Sequence, residues 1–239
     1  MGRRRRPMMV RFKIDMQAIQ IPMDFTFLTA RGWEDFLVTE ANEDAVAWID
    51  RWPDWPVRSL LLVGPTGSGK THLAHVWQMR SDAKIIDARS LGNLGIDMLS
   101  HYAAHPLILE DAGEGIDEEA LLHLYNLVQE KNGSLMITAK AVPSSWQLTL
   151  ADLSSRLGTV HVTRIREPDD QLFAALVVKL FSDRQLAITP EVVQYIVLRL
   201  ERSFQEVHRF VRLLDSSALA RKRKITLSLI REVFKEEQG

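Results

Sequence analysis

The run Gly64-Pro65-Thr66-Gly67-Ser68-Gly69-Lys70-Thr71 constrains this chain more than any other stretch. It fits G-x-x-x-x-G-K-[ST], the glycine-rich phosphate loop, and its flanks fit as well. Ser59-Leu60-Leu61-Leu62-Val63 suits a strand buried on both faces, and Thr71 to Met79 reads as a helix. The glycines let backbone N–H groups approach a polyphosphate closely. Lys70 brings positive charge to the outer phosphates, and the Thr71 hydroxyl can ligate Mg²⁺. The expected ligand is ADP or ATP with Mg²⁺.

Such a loop works with an acidic strand end. Leu107-Ile108-Leu109-Glu110-Asp111 supplies one, with Glu110 in the metal position and Asp111 placed to orient a water. The usual order is Asp then acid, so the longer side chain stands first here. Further alternation follows. Lys84 to Asp87 and Ser134 to Thr138 read as strands, Thr159 to Val162 as a short last strand, and Asp117 to Lys131 as a helix stopped by Asn132-Gly133. Repeated strand–helix units predict an α/β fold with a mostly parallel sheet. From Pro168 on, the apolar spacing is helical throughout. Thr189-Pro190 marks one helix start, Ser203 and Glu206 have capping-box spacing at another, and a final helix runs from about Thr226 to Phe234.

Composition narrows the class. There is no cysteine, so disulfides, thiolate metal sites and a cysteine nucleophile are excluded, and 30 basic residues balance 31 acidic ones. No apolar run is long enough to span a bilayer, and a cytoplasmic protein is expected. Residues 1–13 carry Arg3, Arg4, Arg5, Arg6, Arg11 and Lys13 without an acid. They read as a flexible tail, as sequence upstream of a start at Met8, Met9 or Met16, or as a non-specific DNA contact. Arg221-Lys222-Arg223-Lys224 reads as a solvated loop. His101 and His105 have i,i+4 spacing but no evident third metal ligand, and Trp33, Trp48, Trp52 and Trp55 read as packing around the first helix.

Taken together, these elements resemble the AAA+ ATPases, and within them the DnaA family of bacterial replication proteins. Gly69-Lys70-Thr71-His72-Leu73 is similar to the family's loop continuation. Phe36 to Asn42, with Val38, resembles the segment bordering adenine. Ile137-Thr138 through Pro143 resembles the sensor-1 strand and loop, although Lys140 stands where an Asp is usual. Asp152 to Gly158 resembles the segment with the arginine finger, at Arg156, and Arg202-Ser203-Phe204 the sensor-2 position. The resemblance covers about residues 25–236. It implies a basic tail over 1–24, an AAA+ domain with a five-stranded parallel sheet over 25–166, and an all-α lid over 167–239.

An initiator of this family continues past its lid into a helix-turn-helix module, whereas this chain stops at Gly239. Gln20-Ile21-Pro22-Met23-Asp24-Phe25 is similar to peptides that bind the bacterial sliding clamp, the β subunit of DNA polymerase III. Gln20, Ile21, Met23 and Phe25 would make that contact, or Met23 and Phe25 pack on the domain. The resemblance therefore implies a short homologue that sits on the clamp in the bacterial cytoplasm, near the nucleoid. There it stimulates hydrolysis of DnaA-bound ATP through Arg156, with DNA contacts indirect and a homo-oligomer compatible. Lys140 and the reversed acids imply weak intrinsic hydrolysis. Two other readings stay open: a helicase-loader-like ATPase using its basic clusters on single-stranded DNA, and a nucleotide-dependent assembly adaptor. Arg156 and Arg202 also read as ordinary surface arginines.

Overall fold

A computed structural model describes residues 36–238. Their contacts divide the described chain at 166/167 into an α/β unit and a helical unit, with residues 37–39 grouped with the latter.

The α/β unit runs α1 (Glu43–Arg51), β1 (Ser59–Val63), α2 (Lys70–Ser81), β2 (Lys84–Asp87), α3 (Ile96–Tyr102), β3 (Leu107–Ala112), α4 (Glu118–Glu130), β4 (Leu135–Ala139), α5 (Ala151–Gly158) and β5 (His161–Arg164), with 3-10 turns at Ala88–Asn93 and Pro143–Ser145. All strands are parallel, in the order β2-β3-β4-β1-β5. The α/β sandwich expected from the sequence is therefore present. β1 lies between β4 and β5, in register with Leu135–Ala139 on one side and His161–Arg164 on the other. It is buried at every position, which is why it reads as an unbroken apolar run.

Strand side chains alternate between the two faces. Leu61, Val63, Leu107, Leu109, Leu135 and Ile137 share one core with Leu99 of α3, Leu121, Leu124 and Val128 of α4, and Leu153 and Leu157 of α5. The alternate residues Leu60, Leu62, Ile108 and Met136 are also fully buried, on the side of α1 and α2. There Trp77 is completely enclosed, with Trp55 stacked on it at 5.0 Å and Trp52 meeting it edge-on. The Trp55 indole N–H donates to the Trp48 carbonyl at 2.7 Å. Trp48, Trp52 and Trp55 thus pack, as expected, while Trp33 lies outside the described residues.

Sequence and structure differ in detail. β5 begins two residues later than Thr159. α3 and the Ala88–Asn93 turn lack an apolar stripe, since Ile96 and Met98 point outward, so periodicity does not register them. The stop at Asn132-Gly133 works through Asn132, which takes the left-handed conformation (φ 55°), while the Gly133 N–H returns to the Val128 carbonyl at 2.9 Å.

The helical unit contains α6 (Asp170–Ser182), α7 (Pro190–Val197), α8 (Phe204–Arg221) and α9 (Leu227–Gln238) around Phe173, Phe181, Phe210, Leu214 and Ile230. Asp169 caps α6 by accepting the Leu172 N–H at 2.7 Å, and Ser203 caps α8 by accepting that of Glu206 at 3.0 Å. The capping box is half used, because Glu206 turns to Arg209 rather than back to Ser203. The expected solvated loop is present at 222–224, exposed between α8 and α9, and begins one residue later than expected. Arg221 is the last residue of α8, and Arg221 and Arg223 are held by Glu232 and Glu236 of α9 at 2.7–3.0 Å. Among the described residues no helix is long and apolar enough to cross a membrane.

At the end of β2, the Asp87 carboxylate accepts the guanidinium and the backbone N–H of Arg89, which hold its pKa at about 2, below the usual carboxylate range. A group lowered on folding stabilises above its unfolded pKa and loses that contribution as pH falls through the folded one. Thermal unfolding followed from pH 6 downward should therefore lose stability from about pH 4 toward 2. Asp87→Asn should flatten that part of the profile; an unaltered slope would show that the pair does not contribute.

Candidate functional site

The loop after β1 is built from its glycines outward. Gly67 and Gly69 take positive φ (80° and 95°), which side chains rarely adopt. At Gly69 a Cβ would lie 2.7 Å from the Phe36 ring, and at Gly64 one would lie 2.8 Å from the Ser68 hydroxyl and 3.0 Å from the Ile165 carbonyl. The Gly64 N–H donates to the Ala139 carbonyl of β4 at 3.2 Å, and the Ile165 N–H to the Val63 carbonyl at 2.8 Å. The loop therefore leaves the sheet pinned on both sides. It delivers the chain to the N-terminus of α2, whose first turn carries no acid. An unopposed helix N-terminus with uncommitted N–H groups suits an anion.

Lys70 is 7% exposed, and its Nζ donates to the carbonyls of Gly64 (2.8 Å) and Pro65 (2.9 Å). Burial pulls its pKa down, Asp111 opposes that shift and Lys140 adds to it. One carboxylate and a second cation therefore lie within electrostatic reach of the loop lysine. The Ser68 hydroxyl is buried without a hydrogen-bond partner, Thr71 is exposed at the start of α2, and the His72 ring stacks on Phe36 at 5.2 Å. Pro65 is half-buried and Thr66 exposed on the loop's outer side, and Val38 is half-buried in the 37–39 segment.

The acidic end of β3 is irregular. Its register with β4 shifts between Leu109 and Ala112, and Asp111 takes a left-handed conformation (φ 56°), which Asp tolerates better than most residues. The Asp111 N–H donates to the buried Thr138 hydroxyl at 3.0 Å, leaving its carboxylate exposed. Glu110 is half-buried, and its Oε1 is enclosed without a partner. An orphaned carboxylate oxygen and an orphaned Ser68 hydroxyl are what a Mg²⁺–polyphosphate group would satisfy. The residues present thus fit that group. Among the described residues no set of three or more His, Asp or Glu could hold a metal unaided; the His101 and His105 rings lie 5.6 Å apart as a pair.

Arg156 sits on the outer side of α5, 3.3 Å from Asp152, with 41% of its side chain exposed. Arg202 precedes α8 and pairs with Asp170 at 2.6 Å. Gln20, Ile21, Met23 and Phe25 lie outside the described residues.

Glu118 is a site residue that sequence reasoning missed. From the first turn of α4 its carboxylate accepts the N–H groups of Thr149 (2.9 Å) and Leu150 (2.7 Å) and the Thr149 hydroxyl, which lowers its pKa. It thereby fixes the N-terminus of α5, the helix bearing Arg156. The available signal, an acid in a helix's first turn, points to that helix and not to one thirty residues on.

Comparison with known proteins places this geometry. Residues 169–234 match the family model "Hda, lid domain". Domain III of the DnaA replication initiation protein from Thermotoga maritima superposes with TM-score 0.69 at 16% identity, over 85% of this chain and 95% of that one. AMPPCP-bound DnaA from Aquifex aeolicus matches with TM-score 0.61 at 17% identity, over 75% of this chain and 63% of that one. A DNA replication initiation factor matches with TM-score 0.66 at 17% identity, over 79% of this chain. The match takes in 66% of that factor, so the chain spans about two thirds of these longer initiators. With a parallel sheet in this strand order and a phosphate loop after β1, the chain has the fold of DnaA domain III, and its residues 169–234 are similar to a lid of the Hda type.

Proposed function

We propose that this chain regulates replication initiation in the bacterial cytoplasm by stimulating hydrolysis of ATP bound to DnaA, while held on the polymerase III sliding clamp through Gln20, Ile21, Met23 and Phe25. The observation that carries this reading is an Hda-type lid on a DnaA-like fold. It holds ADP or ATP with Mg²⁺ at its own loop. The N–H groups of residues 64–71 and Lys70 bind the phosphates, Thr71 and Glu110 face the metal, and His72 borders the nucleotide. The metal shields phosphate charge, and Ser68 offers its hydroxyl to the same group.

Intrinsic hydrolysis is weak in this reading. Asp111 is displaced by the bulge in β3, and Lys140 stands one residue beyond the Ala139 carbonyl that anchors the loop. The chain's catalytic contribution goes to a neighbour instead. Arg156 leaves its half-exposed pairing with Asp152, in which Nε is enclosed without a hydrogen bond, at little cost. It then stabilises charge on the phosphoryl group transferred in the DnaA site, where fingers of this kind contribute about 10³–10⁵ in rate. The helicase-loader alternative has less support, because Arg221 and Arg223 are already neutralised by Glu232 and Glu236.

Lys70→Ala should weaken ADP binding by about ten- to a hundredfold, the worth of charged hydrogen bonds, and diminish the rise in melting temperature that ADP produces. Equal calorimetric affinity in the two proteins would remove the phosphate assignment.

Alanine at Gln20, Met23 and Phe25 together should abolish capture by the clamp and leave ADP affinity intact. Capture at the original strength would take away the tether.

Single-turnover hydrolysis of DnaA-bound ATP on DNA-loaded clamps tests the function itself. Arg156→Ala should lose the stimulation while keeping fold, ADP and clamp binding, and Lys should rescue poorly because a point charge does not reproduce the planar fork. Full stimulation by the alanine variant would leave Arg156 a surface residue.

A further inference from the structure

β5 is an edge strand, and among the described residues no strand pairs with its outer side. In a parallel ladder, successive residues turn their N–H and C=O groups to opposite sides. The Ile165 N–H goes inward to Val63, so those of Val162, Arg164 and Arg166 point outward. Arg166 uses its own on the Ala41 carbonyl at 2.9 Å, so the open stretch of this edge is Val162 to Arg164. Val162 and Arg164 have no such partner among the described residues.

A cleft of about 340 Å³ runs beside this edge, between β5 and α1. Thr163 lines it, 4% exposed, with a hydroxyl that has no hydrogen-bond partner. Its rim carries Arg164 and Arg166, both exposed and neither ion-paired. They differ in this from Arg80, Arg89, Arg156, Arg184, Arg202 and Arg209, each of which has a carboxylate within 4 Å. Asp44 is the single acid in the lining, so the rim keeps an excess of positive charge. The Trp48 ring lines the floor with His161 tilted over it at 4.0 Å.

We propose that the outer edge of β5 receives an extended acidic peptide segment of a partner protein, which adds as a sixth strand and places carboxylates on Arg164 and Arg166. Two features select a peptide. Arginines at i and i+2 of a strand stand about 6.5 Å apart, the repeat at which an extended peptide presents alternate side chains. The open N–H and C=O groups also require a partner with a complementary backbone ladder, which nucleic acid lacks. This inference does not depend on bound nucleotide or on Arg156.

The test is fluorescence anisotropy of a short labelled peptide alternating valine and glutamate, titrated with the full chain. Binding is expected, with an affinity loss of about tenfold or more in the Arg164→Glu/Arg166→Glu protein. The milder Arg164→Gln/Arg166→Gln protein should show a smaller loss, with ADP affinity retained in both as evidence of folding. Arg212→Glu, which removes another unpaired arginine on α8, should change nothing. N-methylation of alternate peptide amides should abolish binding. The proposal is overturned if the charge-reversed protein binds the peptide normally or if N-methylation has no effect. Binding of an oligothymidylate through these arginines, with no binding of the peptide, would also overturn it and assign the edge to nucleic acid.

Discussion

Every residue of β1 is out of water and every lateral hydrogen bond of the strand is taken, by β4 on one side and β5 on the other. A strand so enclosed can present its chain to solvent at its ends alone. The rung from Gly64 to Ala139 extends the ladder one residue past the strand, so the loop begins from a point held by the sheet. Two left-handed glycines then turn the chain directly into α2. The position of the Lys70 ammonium, the orientation of the α2 N-terminus and the proximity of Lys140 all follow from that one enclosed strand.

Charge at this edge of the sheet is distributed in a graded way. Asp87, at the end of β2, is saturated by Arg89 and has little left to offer a ligand. Asp111 is half committed, with its backbone tied to Thr138 and its carboxylate in solvent but felt by Lys70. Glu110 keeps an enclosed oxygen without a donor. Burying an acceptor unmet costs on the order of 1–3 kcal/mol, so the position is tolerable chiefly if something meets it.

Much of the fold was legible because its strands are short, apolar and separated by helices with clear caps. Leu60–Val63 and Leu107–Leu109 announce themselves by composition, and Asp117, Asp169 and Ser203 by cap chemistry realised in the structure. β5 was displaced because its real span takes in Arg164, whose charge on an edge strand is harmless but breaks the apolar signal. At the site, contacts within one loop could be foreseen from spacing. Those that join distant segments could not, because nothing local marks them: Glu118 to Leu150, Thr138 to Asp111, and Arg221 and Arg223 to α9.

The Glu118 carboxylate has a mechanical consequence. A segment of five residues, Gly113 to Asp117, separates the end of β3 from α4, and it contains two glycines, one of them with φ 78°. At its far side a single side chain bolts the first turn of α4 to the start of α5. The start of α5 therefore takes its position from the first turn of α4, and the segment that leads into α5 is tied to the 113–117 loop as well, through Gln147 and Glu114.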